Sequence, residues 1–558
     1  MVDWSFSRHL EQCMARLAAP AFLAILSACS AADTPPTPAL DGDRLMGHIT
    51  MLASDSFLGR APGSLGEERT VEYLEREFRA LGLQPGNPDG TYIQNVPLVG
   101  ITGDPAMVLT IEGRGVPQQL RFRDEFVAWS RHVTDSVRVS GSELVFIGYG
   151  TKAPEFSWDD LKGADLQGKT LVVLVNDPPL ADTTQFGGRA MTYYGRWTYK
   201  YEQAAALGAA GMLIIHEDGP AGYPWGVVQG MGGEKFDLVT PDRNLGRAPM
   251  EGWIHLDVAR RLLALAGQDF DSLKARAATR EFTPVPLGLT ASLGIRNTLR
   301  TLDSRNVVAK VEGSDPVLRD EYVIYTAHWD HFGVGDAVDG DSIYNGAADN
   351  ASGTAGLLEM ARAFQELPTK PRRSVLFLAV TAEEQGLLGS EYYARTPLHP
   401  LAKTVANINV DVLNMDGRTS DLVVIGLGAS ELDDYLREAA GVQGRAVLPD
   451  PESEKGFYYR SDHFNFAKVG VPALYTDVGV TFEGQPAGYG AERSADWNTN
   501  RYHKPSDEVL PSWKPDGAIQ DLELFFRVGY RVAQADSMPR WAPGNEFRAR
   551  REASLSGR

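Results

Sequence analysis

From Arg305 onward the chain alternates short, apolar, β-branched runs with helical signals, and this alternation limits the possible folds more than any other feature. The runs are NVVAKVEG from Asn306, EYVIYTAH from Glu321, SVLFLAVTAEE from Ser374, VANINVDVLN from Val405 and DLVVIGLG from Asp421. Between or after them lie helical patterns over Ser352–Leu367, around Gly386–Arg395 and around Glu431–Ala440. A last helix is expected over Asp516–Ala535, with Ile519, Leu522, Phe526 and Val532 on or near one face. Strands that are apolar along their whole length are strands covered on both faces, which is the condition of a parallel sheet sandwiched by helices. The expected class is therefore α/β, with a mixed, mostly parallel central sheet flanked by helices.

At 558 residues the chain is long for one domain. Upstream, Val71, Leu74, Phe78 and Leu81 recur at helical spacing over Ser64–Leu81, with Gly82 placed to stop the helix. The preceding SDSFLGRAPGS reads as a loop. From Phe126 to Pro284 the texture changes to short β-rich runs between Gly and Pro turns. Its GKTLVVLV segment from Gly168 and KYEQAAALGAAGMLII from Lys200 resemble a protease-associated domain, an accessory module inserted in several peptidases. The expected division is a main domain over 43–125 and 300–538, an inserted β-rich module over 126–285, and an exposed tail over 539–558.

The first residues look like an address. Arg16 precedes the apolar run Leu17–Leu26, too short to span a bilayer as a mature helix, and Leu26-Ser27-Ala28-Cys29 resembles a bacterial lipobox. Residues 1–28 are thus expected to be a lipoprotein signal peptide beginning at Met1 or Met14, with Cys29 as the lipid anchor and 29–42 as a Pro-rich tether. The corresponding location is the bacterial cell envelope, on the periplasm-facing outer membrane. A net charge of −19 argues against nucleic acid as a partner, which requires a clustered basic surface. Both cysteines, Cys13 and Cys29, lie in this leader region, so any metal in the main body must sit on imidazole and carboxylate groups.

Such groups cluster where ligands gather in open parallel sheets, beyond the carboxyl ends of the strands. His328 closes one run, Glu383 and Glu384 follow another, and Asp411 follows a third. Asp349 opens the helix after the first run, and His503 lies in RYHKPSDE near the C-terminus. Two imidazoles with three carboxylates suit a pair of divalent ions, and zinc accepts this mixture of nitrogen and oxygen donors; cobalt or manganese also fits it.

The motifs HWD, GAADNASG, AEEQGLLGS, NVD and YHKPSDE, in this order, resemble the co-catalytic zinc exopeptidases, whose relatives include bacterial leucine-type aminopeptidases, glutamate carboxypeptidase and the transferrin receptor ectodomain. The resemblance implies two Zn2+ ions. His328, Asp349 and Asp411 would hold one, and Asp349, Glu384 and His503 the other. It also implies Glu383 as general base, Asp330 as the carboxylate that accepts the second imidazole proton of His328, and Tyr502 as a phenol steadying the oxyanion. SDHFNFAKVGVPAL, from Ser461, resembles a segment lining the cleft; His463 within it is read as structural, and His331 receives no role.

The activity implied is an aminopeptidase acting on peptides. A carboxypeptidase or dipeptidase is the alternative and would need a guanidinium near the metals, for which Arg460 and Arg501 are the candidates. A third possibility is a catalytically silent peptide-binding protein of the envelope. The aromatic-bearing segments 451–460 and 481–500 are expected to be loops rimming the cleft.

Overall fold

The computed structural model describes residues 38–115, 117–180 and 186–557. The expected signal peptide, Cys29 and most of the expected tether lie outside them. Within the described part of the tether, Leu40 already packs against the core, and the Asp41 carboxylate accepts the Asp43 and Arg44 N–H groups to start the helix Gly42–Leu52.

The larger of the two sheets runs in the order Ala446–Pro449, Asp421–Ile425, Ala473–Asp477, Thr404–Asn409, Tyr322–His328, Ser374–Val380, then the end of the strand Val285–Val311. Ile93–Gly103 pairs with residues 297–307 of that strand, and Lys235–Leu238 pairs with residues 98–101. The centre, from Ala473–Asp477 to Ser374–Val380, is parallel. Tyr322–His328 and Ser374–Val380 are buried along their full length, as their apolar runs require.

Helices cover both faces. On one, Gly353–Gln365 and Pro515–Gln534 pack together, with the rings of Phe364 and Phe526 4.6 Å apart. The Tyr325 hydroxyl reaches from the sheet to donate to the Phe525 carbonyl at 2.8 Å. Only a glycine at 529 permits this approach, since a Cβ there would lie 1.8 Å from that hydroxyl oxygen. On the other face, Leu388–Arg395 and His463–Lys468 lie over Ile324, Leu376 and Leu378.

The helix expected over 64–81 is Leu65–Ala80: the Ser64 hydroxyl accepts the Gly66 and Glu67 N–H groups, and Gly82 (φ +75°) follows the C-cap. The C-terminal stretch differs from the expected exposed tail. Trp541 and Phe547 are buried among the residues covering the second face, and the guanidinium of Arg551, on the helix Arg548–Ser556, donates to the Leu401 and Thr404 carbonyls. Its basic run looked like a solvated end because its apolar anchors are few. The segment 481–500 also differs, forming a helix over Tyr489–Asn500.

The second sheet runs in the order Gln118–Arg121, Val108–Glu112, residues 285–296, Ser136–Phe146, Thr170–Leu174, Gly211–Ile215, Met250–Ile254 and Phe126–Trp129. It has its own cores on its two faces. Two boundaries read from the sequence move as a result. Val108–Glu112 and Gln118–Arg121 belong to this sheet, and Met107, Leu109, Ile111 and Leu120 lie in its core, so it begins well before residue 126. Nor does the chain leave it at 285: Val285–Val311 is one strand that starts in this sheet and ends in the other.

Candidate metal centre

The carboxyl ends of the parallel strands deliver the expected side chains to one place. His328 is the last residue of its strand; Glu383 and Glu384 follow Ser374–Val380, and Asp411 lies just past Thr404–Asn409. Asp349 sits in the irregular turn Ala347–Ser352 ahead of Gly353–Gln365. Tyr502 and His503 occupy the turn after Tyr489–Asn500. Non-glycine residues with positive φ cluster beside these groups, at Ala382, Val412 and His503 itself, which turns the chain sharply enough to aim neighbouring side chains at one point.

Asp349 stands between the two imidazoles. Its Oδ1 is 3.2 Å from His328 Nε2, and its Oδ2 is 3.4 Å from His503 Nε2. His328 Nε2 is also 3.2 Å from Asp411 Oδ1, and His503 Nε2 is 3.2 Å from Glu384 Oε2. The donor atoms of His328, Asp349 and Asp411 lie within 4.8 Å of one another, as do those of His328, Glu383 and Glu384, and those of His331, Asp349 and Glu384.

Each of these groups is held from behind. The second oxygen of Asp411 accepts the Ser461 hydroxyl at 2.5 Å, Ser461 accepts from Asn409 Nδ2 at 2.7 Å, and Asn409 Oδ1 accepts the Thr326 hydroxyl at 2.6 Å. Asp507 accepts the N–H groups of Ala348 and Asp349, both at 3.0 Å. Arg60, fully buried, donates to the carbonyls of Leu52, Trp329, Asn345 and Gly346. None of Asp507, Arg60 and Ser461 had a role from the sequence. Asp507 stood inside YHKPSDE and Ser461 opened SDHFNFAKVGVPAL, whereas nothing pointed to Arg60.

Asp330 acts differently from expectation. Its carboxylate lies 3.8 Å from His328 Nδ1, beyond hydrogen-bond reach, while that nitrogen is 3.2 Å from the Asp330 carbonyl. The carboxylate instead accepts the N–H groups of Glu383 (3.0 Å) and Glu384 (3.4 Å). Tyr502 stacks on His503 with ring centroids 3.7 Å apart and is 45% exposed. His463 is a packing residue: it stacks on Tyr475 at 4.8 Å, and burial pulls it down to about 3.

The site carries more negative charge than its cations offset. Burial disfavours imidazolium at His328 and His503, yet the adjoining carboxylates outweigh it: Asp411, Glu383 and Asp349 push His328 well above its usual range, and Glu384 and Asp349 push His503 up to about 10. Burial would likewise raise Glu384, but His503 and His331 bring it down to about 2. Glu383 is raised well above the carboxylate range by burial, reinforced by Glu384 and Asp411. Convergent nitrogen and oxygen donors that retain protons to balance buried carboxylates are a donor set fitted to cations, and its chemistry matches zinc.

Residues 306–525 match the sequence profile of peptidase family M28. Among curated proteins, the chain is 39% identical over 132 residues to aminopeptidase NAALADL1 of Mus musculus, covering 23% of this chain and 16% of that one. It is 28% identical over 283 residues to leucine aminopeptidase 2 of Arthroderma otae, covering 48% and 52%. The chain thus spans about half or less of the length of these relatives. Among solved structures, an aminopeptidase from Aneurinibacillus sp. strain AM-1 aligns over 91% of this chain and 95% of its own at 20% identity and a TM-score of 0.49.

Proposed function

We propose, from the premise that residues 306–525 form a peptidase family M28 domain, that the chain is a two-zinc aminopeptidase hydrolysing the first bond of peptides. The observation that carries this reading is Asp349 facing His328 with one oxygen and His503 with the other. His328, Asp411 and Asp349 would hold one ion; Asp349, Glu384 and His503 would hold the second. Zinc bound there would act as a Lewis acid, polarising the scissile carbonyl and lowering the pKa of water.

The chain's own residues supply the rest. Glu383 enters none of the ion pairs formed by its neighbour Glu384, and its carboxylate lies in the same group as His328. It accepts a proton from the attacking water and returns it to the leaving amine, so the bonds broken are C–N and one O–H of water and the bonds gained are C–O and N–H. Asp330 sets the angle of Glu383 through its backbone N–H. Tyr502, stacked on His503, would donate its hydroxyl to the oxyanion. The surplus of carboxylates suits the α-ammonium of a free N-terminus.

One observation favours a second reading, a carboxypeptidase or dipeptidase. Arg196 and Arg460 have no carboxylate partner among the described residues, each has an unbonded buried Nε, and Tyr223 lies beside both. Arg460 also lies near the Tyr502 phenol. Among the described residues, the Arg460 guanidinium donates to the Lys455 carbonyl alone, whereas Arg501 donates to the Ser506 carbonyl and also has the Asp496 carboxylate 4.0 Å away, which makes it less available. Hydrolysis of matched free, N-acetylated and C-amidated peptides, with and without chelator, tests both readings. Loss of cleavage on N-acetylation, with amidation tolerated, is the expected result; the reverse pattern would establish the second reading, and cleavage indifferent to chelator would overturn both.

A further inference from the structure

We infer that His331 is a positioning residue for Glu384, clamping one oxygen of that carboxylate so that the other faces His503 and Asp349. The inference rests on the two-metal reading above and concerns the second metal position.

His331 is fully buried, and its Nδ1 lies 2.6 Å from Glu384 Oε1, while Glu384 Oε2 is 3.2 Å from His503 Nε2. The two carboxylate oxygens are thus divided between a buried partner and a partner at the cleft. His331 Nε2 is buried with no hydrogen-bond partner among the described residues. The only acceptor that faces the ring among the described residues is the Glu384 carboxylate at Nδ1, so the ring donates to Glu384. Asp330 and His331 therefore grip Glu383 and Glu384 together, the first through backbone N–H groups and the second through a side chain.

The space for the ring is built into the chain. Gly346 (φ +56°) lies against it, and a Cβ there would come within 2.6 Å of His331 Cγ and Cδ2. Phe332 packs on the ring edge-on at 4.9 Å. A glutamate side chain free to rotate would present its second oxygen to the metal position only part of the time. Partners that orient ligating groups in this way are worth about 10–100-fold in metal affinity.

The test uses the full chain, stripped of metal and titrated with Zn2+ against a chromophoric chelator, with kcat and KM measured in parallel. His331→Leu is expected to weaken one of two zinc ions by about 10–100-fold, leaving the other unchanged, with kcat falling at limiting zinc and KM little altered. His331→Asn, whose amide places an N–H near the position of Nδ1, is expected to restore most of that affinity. Unchanged zinc binding in His331→Leu would overturn the inference. So would an Asn variant as weak as the Leu variant, because the ring would then be coordinating zinc itself. If the Leu variant does not fold, His331→Gln, which displaces the donor by one bond, takes its place with the same expectations. A wild-type stoichiometry of one zinc would refute the two-metal reading and leave the comparison on that ion to decide the role of His331.

Discussion

Replacing Arg60 with methionine should loosen the scaffold of the metal centre without touching any ligand. Its guanidinium satisfies the carbonyls of Leu52, Trp329, Asn345 and Gly346 at 2.6–2.8 Å. Gly346 O has a second donor in the Ala351 N–H, so methionine leaves three carbonyls without a partner. Each orphaned buried carbonyl destabilises by about 1–3 kcal/mol, about 6 kcal/mol in all. Burial works in the other direction: it outweighs the nearby carboxylates and brings Arg60 down to about 10 from 12.5, so keeping the guanidinium charged costs about 3 kcal/mol that methionine relieves. The expected net loss is about 3 kcal/mol, or about 1 M in urea midpoint at an m-value of about 3 kcal/mol/M. Urea unfolding followed by circular dichroism measures it, with zinc titration alongside. The flanks of Asp330 and Asp349 are released together, so metal affinity should fall as well. A variant within about 0.5 kcal/mol of wild type that binds zinc normally would refute the bookkeeping of orphaned carbonyls.

Two further outcomes are expected. Glu383→Gln should keep its metal and lose at least about 10²-fold in kcat, measured at saturating peptide; near-normal turnover would remove Glu383 from the role of base. Asp160 is buried in the second sheet's region, where burial outweighs the hydrogen bonds from Thr151 N–H and Trp158 Nε1–H and raises it to about 6. A carboxyl raised on folding favours the protonated state, so its stability is fully present below about pH 4 and is lost as pH rises through 6, a change of about 3 kcal/mol. Asp160→Asn should flatten that part of the urea-midpoint profile between pH 4 and 6.5; an unchanged slope would contradict the assignment.

The groups that would touch metal were legible in the sequence because each ends an apolar run with a residue that has no business in a core. His328, Glu383, Glu384 and Asp411 stand out this way, and the structure brings them together with Asp349 and His503. The groups that hold them were not legible. Arg60 sits in SDSFLGRAPGS, whose composition is that of a loop, and its burial depends on a turn with positive φ at Leu58, Gly59 and Arg60 itself. His331 adjoins a motif, but an imidazole's direction is set by Gly346 and Glu384, far away in sequence. The long strand was hidden because Arg296, Asn297, Arg300 and Asp303 read as a polar break. In the strand, paired with Ile93–Gly103, Arg296, Arg300 and Asp303 face solvent while Asn297 donates to the Thr134 carbonyl.

That strand has a consequence for anyone who would edit the chain. Val285–Val311 has a contour of about 90 Å at 3.3 Å per residue; it is irregular near Gly288 and Ser292 within the second sheet and then passes into the other sheet unbroken. The accessory half is therefore the far end of a beam, not a bead on a string. Torque applied to residues 285–296 is delivered to Val307–Val311, one strand away from the one that ends in His328. Excising the accessory half would cut that beam near residue 296 and leave residues 297–311 held by Ile93–Gly103 and Ser374–Val380 alone, whereas grafting a different module onto it would preserve the load path.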